Sequence, residues 1–323
     1  MLTDSVRVIA LNKEIRMEIV RDIRELDIHG CSIVTIGVFD GVHIGHQEIM
    51  RVVAESARAT GCKSVAVTFD RNPEELVSSD HSVPHISTLS QKLELIREQG
   101  IDMTVVLPLN METLSMSADE FVRNIISRKL CASKVVVGTN FSFGKGRSGN
   151  VALLRQIGEE IGFEVNAVAP VRSDDVVVSS TVIRKMILDG DIVTANRLLG
   201  HPFVFEGTVV HGQHIGRTIG FPTVNIMPLE KQVIPARGIY TVKVYLPGRE
   251  FIGVCNIGTR PTVDGKSTEV EVHILDFADD IYGAKLDIAF HHRLRNEIKF
   301  ASIDDLVKQI RCDIEQTRSL MAE

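Results

Sequence analysis

The chain has 323 residues, 44% hydrophobic and 24% charged, with a formal charge of −6. A single core seldom fills more than about 250 to 300 residues, so two domains are expected, and the composition excludes disordered and collagen-like chains. The negative balance argues against nucleic acid as a partner and requires a local basic cluster for any anionic ligand.

The five cysteines, Cys31, Cys62, Cys131, Cys255 and Cys312, are scattered and never spaced as CxxC. This pattern predicts reduced, mostly buried thiols rather than a disulfide framework or a zinc site. No stretch approaches the roughly 18 uninterrupted apolar residues of a membrane span, so a cytoplasmic protein with no membrane partner is expected.

In chain order, the β-branched runs "SIVTIGVF", "SVAVTF", "MTVVL" and "KVVVG" alternate with segments of helical period such as "HQEIMRVVAESARATG" and "SQKLELIREQG". That alternation predicts an α/β domain, a parallel sheet covered by helices. Ser90 should precede one helix and Gly100 end it, and "SADE" at 117 to 120 has capping-box spacing. After "ANRLLGHPF" the rhythm changes to "FEGTVVHG", "GIYTVKVYL", "EFIGVCNIG", "TEVEVHILDF" and "KLDIAFHHRL", which predicts an antiparallel barrel or sandwich. The seam is expected near Gly190, giving domains 1–188 and 189–323. The tail returns to a helix capped by Ser302, with Ile303, Leu306, Val307, Ile310 and Ile314 forming a stripe to pack on the barrel.

"GVFDGVHIGH" at 37 to 46 joins a strand to a helix. Such a turn, at the carboxyl end of a parallel sheet, aims backbone N–H groups and the positive helix end at a ligand, which favours phosphate. Gly37, Phe39, Asp40, Gly41 and Gly45 would form the turn, and His43 and His46 could both donate to one polyphosphate. The alternative is that one histidine caps the helix and the other is solvated. Ser180 and Thr181 in "SSTVIR" place hydroxyls at a helix start, and Arg184 lies three residues after Thr181, in reach of the same anion. "GKGRSG" at 144 to 149 matches the dinucleotide fingerprint but does not follow its strand directly, which argues against a nicotinamide enzyme.

Together, "FDGVHIGH", "VVGTNFSFG", "SSTVIR" and "GRTIGFPTVNI" at 216 to 226 resemble the bacterial bifunctional riboflavin kinase/FMN adenylyltransferase family, from about Thr35 to Arg318. The resemblance implies a Rossmann-like nucleotidyltransferase domain that moves AMP from ATP to FMN, giving FAD. It implies a flavokinase barrel that first phosphorylates riboflavin with ATP. Gly216, Arg217, Thr223 and Asn225 would then bind ATP phosphate, with Thr223 and Asn225 as oxygen ligands of Mg²⁺ in the family's PTAN motif, where Val224 replaces the usual alanine. Glu271 occupies the catalytic glutamate position, Arg295 matches a flavin-side arginine, and Asn140 stands where the family shows Asp or Asn. The family usually reads TFDPHP where this chain has "TFDRNP", which puts Asn72 in place of a histidine.

Overall fold

The apolar runs of the first half line up as parallel strands, because a strand buried on both faces can carry nearly continuous β-branched sequence. In the computed structural model, residues 17–24, 26, 28–71, 83–212, 215–262 and 265–322 are described, and Asn72 lies outside them. The chain divides into two compact units, one comprising 7–83 and 89–179, the other 84–88 and 180–323.

The first unit holds β1 (Glu18–Val20), β2 (Ser32–Ile36), α1 (Ile44–Thr60), β3 (Lys63–Phe69), α2 (Leu89–Glu98) and β4 (Met103–Leu107). A helical stretch, α3, runs through Ala118–Glu120 into Phe121–Lys129, and β5 (Ala132–Gly138), α4 (Val151–Ile161) and β6 (Glu164–Val168) complete the unit. Among the described residues the sheet order is β1-β4-β3-β2-β5-β6, every pairing parallel. Successive residues of β2 serve opposite faces: Ile33 packs with Met50, Val53 and Ile96 on one side, Val34 with Phe121, Ile126 and Leu154 on the other. The capping box is present, with Glu120 N donating to Ser117 Oγ and Ser117 N to Glu120 Oε2. Ser90, by contrast, is the second residue of α2 rather than its predecessor.

The expectation of free thiols fails at one pair. Cys31 and Cys62 form a disulfide with a Cα–Cα distance of 4.9 Å. Ser32 pairs with Lys63 in the β2–β3 ladder, so the residues before them stand side by side at the amino edge of the sheet. A helical crossover brings the two strand starts together, which a separation of 31 residues conceals. Of the three free cysteines only Cys255 is buried.

The second unit begins with α5 (Ser180–Asp189) and α6 (Ile192–Leu199). Its strands are β7 (Phe203–Val210), β8 (Val224–Pro228), β9 (Gly238–Leu246), β10 (Arg249–Thr262), β11 (Gly265–Ile274) and β12 (Lys285–Arg295), and α7 (Ile303–Ala322) comes last. β7 pairs with both β8 and β12, which closes an antiparallel barrel rather than a sandwich. Strict alternation in β7 turns Phe203, Phe205 and Val209 inward, where Phe203 meets Phe290.

Ser302 caps α7 by accepting from Asp305 N. The buried centre of α7 is polar, however: Asp313 and Thr317 are its buried residues, Leu306, Val307, Ile310 and Ile314 are half-buried, and Ile303 is 66% exposed. The contacts decide this: Thr317 shares a hydrogen bond with Thr241 of β9, and Asp313 pairs with Arg295 of β12.

Candidate functional site

After β2 the chain enters a tight turn. Phe39 adopts a left-handed conformation (φ 52°) and Gly41 a positive φ of 75°. Phe39 is buried, and a Cβ on Gly37 would come within 2.7 Å of its ring. Gly45 serves His43 in the same way, because a Cβ there would lie 3.2 Å from the imidazole. These two glycines thus make room for rings of the turn itself. Asp40 is buried in the one-turn helix Asp40–Val42.

Of the alternative in which one histidine caps the helix and the other is solvated, only the first half holds. His43 is the N-cap of α1, its Nδ1 accepting from His46 N at 3.3 Å. An accepting Nδ1 places the proton of the neutral ring on Nε2, which is then a donor. His46 is not solvated: its ring stacks on His43 with centroids 3.6 Å apart and lies perpendicular to the Phe39 ring with centroids 5.2 Å apart. His46 Nδ1 is buried with no hydrogen-bond partner among the described residues. Burial holds the pKa of His46 well below the usual histidine value, and the nearby His43 and Lys92 add to this, so the ring is neutral near pH 7. The turn offers a ready donor and an orphan ring nitrogen, side by side at a helix N-terminus.

Asn140 is exposed in the turn after β5, its Oδ1 beside Gly138. "GKGRSG" closes a two-strand ribbon, Ser142–Phe143 against Gly149–Asn150, and not a dinucleotide turn. A Cβ on Gly144 or Gly149 would strike Ala118 within 3 Å, so packing explains these glycines. Ser180, Thr181 and Arg184 stand on α5 in the second unit, where Arg184 Nε donates to the Pro84 carbonyl at 2.8 Å.

In the barrel, β8 and β11 set Asn225 opposite Glu271. The Asn225 amide, its nitrogen turned toward the carboxylates, donates to Glu269 Oε1 at 2.7 Å and Glu271 Oε1 at 3.3 Å. Its carbonyl oxygen then faces away from them. Val270, Val272 and Ile274 are buried while Glu269, Glu271 and His273 are half-buried, the division that alternation predicts. The glycine-rich loop is fastened at both ends. Phe221 N donates to Gly216 O at 2.8 Å, and His273 Nδ1 meets the Pro222 carbonyl at 2.7 Å.

Two cavities flank Thr223. One of about 340 Å³ is lined by Arg217, Pro222, Thr223, Phe277 and Tyr282. The other, about 370 Å³, is lined by Thr223, Glu269, Glu271, Arg295 and Asp313. Arg295 grips the buried Asp313 through two nitrogens, at 2.9 Å and 2.7 Å, and Gln309 supports that carboxylate. Sequence reasoning missed Asp313, which looked like one more exposed acid of a helix; its partner Arg295 lies 18 residues earlier, and no local signal pairs the two. Among the described residues no group of three His, Cys, Asp or Glu side chains could hold a metal ion.

Residues 26–182 match the FAD synthetase family and residues 199–321 the riboflavin kinase family. The bifunctional riboflavin kinase/FMN adenylyltransferase of Escherichia coli (strain K12) is 38% identical over 301 residues, 92% of this chain and 96% of that protein. The chain belongs to the bifunctional riboflavin kinase/FMN adenylyltransferase family. It is therefore a transferase with an adenylyltransferase half and a kinase half. The Pseudomonas fluorescens member is 39% identical, covering 95% of this chain and 98% of its own. A solved structure from Streptococcus pneumoniae, described as a macrolide-efflux protein, superposes with a TM-score of 0.86 at 33% identity, covering 94% of this chain and 98% of that one. Among the described residues no helix of this riboflavin kinase/FMN adenylyltransferase family member is long and apolar enough to cross a membrane.

Proposed function

We propose that residues 189–323 phosphorylate riboflavin with Glu271 as the base and that residues 1–188 adenylylate the resulting FMN at the His43/His46 turn. The observation that carries the kinase reading is the position of Thr223, which lines both barrel cavities while Glu271 faces one of them. A flavin in the larger cavity and the ATP phosphates beside Arg217 in the other would meet at this residue. Glu271 takes the proton of the terminal ribityl hydroxyl, whose oxygen attacks the γ-phosphorus as ADP leaves. Arg295, held flat by Asp313, borders the flavin side.

The donor set fits Mg²⁺ with ATP. Thr223 and Asn225 offer hard oxygens, and a Cβ on Gly212 would come within 1.9 Å of the Asn225 amide, so the glycine leaves this side chain its space. Bound there, Mg²⁺ would neutralise charge on the phosphates.

In the other half the FMN phosphate is already an anionic nucleophile. It attacks the α-phosphorus of ATP and pyrophosphate leaves, so positioning and charge neutralisation matter more than a base. His43 Nε2–H, the His46 ring and the N–H groups opening α1 supply these within the first unit, with Asn140 on the flavin side. Both reactions use ATP, and we place them in the cytoplasm.

The test separates by chromatography the flavins made from riboflavin, ATP and Mg²⁺. Wild type should reach FAD, Glu271→Ala should make nothing from riboflavin yet still convert supplied FMN, and His46→Ala should stop at FMN. Wild type stopping at FMN would overturn the adenylyltransferase reading and direct attention to Asn72. A Glu271→Ala chain that still phosphorylates riboflavin would remove Glu271 as the base.

A further inference from the structure

Lys92 lies on α2 with only 6% of its surface exposed. Its ammonium donates to the carbonyls of Phe69, at 2.8 Å, and Val38, at 3.2 Å. Phe69 is the last residue of β3, and Val38 lies just beyond the end of β2, so the lysine ties two neighbouring strand ends at the sheet's carboxyl edge. The Val38 carbonyl also accepts from Thr68 Oγ1 at 3.1 Å. Burying an ammonium is costly, and a methionine would fill the same space without that cost.

The residue after Val38 gives the charge a task. Phe39 has a left-handed backbone, and its ring makes a T-shaped contact with His46, which in turn stacks on His43. A shift at Val38 would therefore pass through Phe39 to both histidines. We propose that Lys92 is a positioning residue for adenylyl transfer: by clamping the Val38 and Phe69 carbonyls it fixes the turn that aims His43 and His46 at the α-phosphate, and it adds a positive charge beneath that phosphate. The inference rests on the assignment of His43 and His46 to this reaction. The charged or titratable groups acting on His46 are His43 from its own turn and Lys92 from α2, both of which, after burial, disfavour its protonation.

The experiment compares Lys92→Met, Lys92→Arg, Thr68→Val and His46→Ala in the full chain. Riboflavin phosphorylation by the same molecules serves as the control for folding. Lys92→Met should lower kcat for FMN adenylylation at least tenfold, leave KM for FMN within twofold, and spare the kinase. It should also move the histidine ionisation in the kcat/KM profile to higher pH, because a like charge beside His46 is gone. Lys92→Arg should recover most of kcat, and Thr68→Val should lose a few-fold.

A Lys92→Met chain that adenylylates within twofold of wild type would overturn the proposal. So would a loss with an unmoved pH profile and no recovery in Lys92→Arg, which would make Lys92 a packing residue. Should Lys92→Met lose both activities, Thr68→Val decides, since an unchanged kcat there removes the role of the Val38 carbonyl. If His46→Ala itself adenylylates normally, the underlying site assignment falls, not the clamp alone.

Discussion

Glu206 and Asp287 stand directly opposite each other on β7 and β12, two like charges across one ladder. Burial, with the Glu206 charge added, pushes Asp287 up from 3.8 to about 6. The folded barrel therefore binds more protons than the unfolded chain between about pH 4 and 6, and stability falls as pH rises through that window. Asp287→Asn should stabilise the barrel by about 1–2 kcal/mol at pH 7.5 and by little at pH 4. Thermal unfolding of both chains at the two pH values checks this, and equal gains at both would refute it. Residue identity was readable at the proposed sites too: the HxGH pair stood out by type and spacing, and Glu271 through the family resemblance. Their partners did not. Nothing in the sequence announces that His46 stacks on His43, or that Asp313 holds Arg295, because both contacts join atoms through folded space. Asp313→Ala leaves a partly buried guanidinium without its carboxylate and should destabilise the barrel by about 2 kcal/mol, read from urea unfolding.

At the scale of elements, periodicity located most strands and helices, and capping signals at Ser117 and Ser302 set two helix starts. The loop between β7 and β8 shows why a glycine cannot be replaced. A Cβ on Gly216 would lie 2.3 Å from the carbonyl oxygen of Phe221, the residue whose N–H closes the loop onto Gly216. Gly216→Ala should cut riboflavin phosphorylation at least tenfold while FMN adenylylation continues, as measured by separate assays on one preparation. The disulfide is likewise an element-level event, made by strand order. Closing a loop of 31 residues restricts the unfolded chain by about 3–4 kcal/mol. Reduction should lower the melting temperature of the first unit and leave the barrel transition in place. Thiol titration of the denatured chain should find three reactive cysteines before reduction and five after, and five from the outset would mean the bond is open in solution.

For the whole molecule, the change of rhythm near Gly190 accompanies the change from a parallel α/β half to an antiparallel barrel, and packing draws the edge of the barrel unit earlier, at Ser180. Ile183 and Ile187 of α5 are buried, and Ala236 N donates to the Ile187 carbonyl, so α5 folds with the barrel. Pro84–Thr88 joins it as well: His85 and Val233 share a backbone hydrogen bond, and Thr88 Oγ1 donates to Glu206. A chain of residues 189–323 alone lacks both pieces and should unfold at a lower temperature than the barrel of the full chain, as calorimetry would show.

By itself, the sequence determined the fold classes and their order, because periodicity is a local property that neighbouring residues impose on one another, and its motifs carried the family resemblance that implies the two chemistries. The tertiary structure alone decided the closure of the barrel, the Cys31–Cys62 bond, the Asp313 anchor and the Lys92 clamp. Each of these depends on which distant strands lie side by side, a choice made by burial and hydrogen bonding over the whole chain that no window of neighbours encodes.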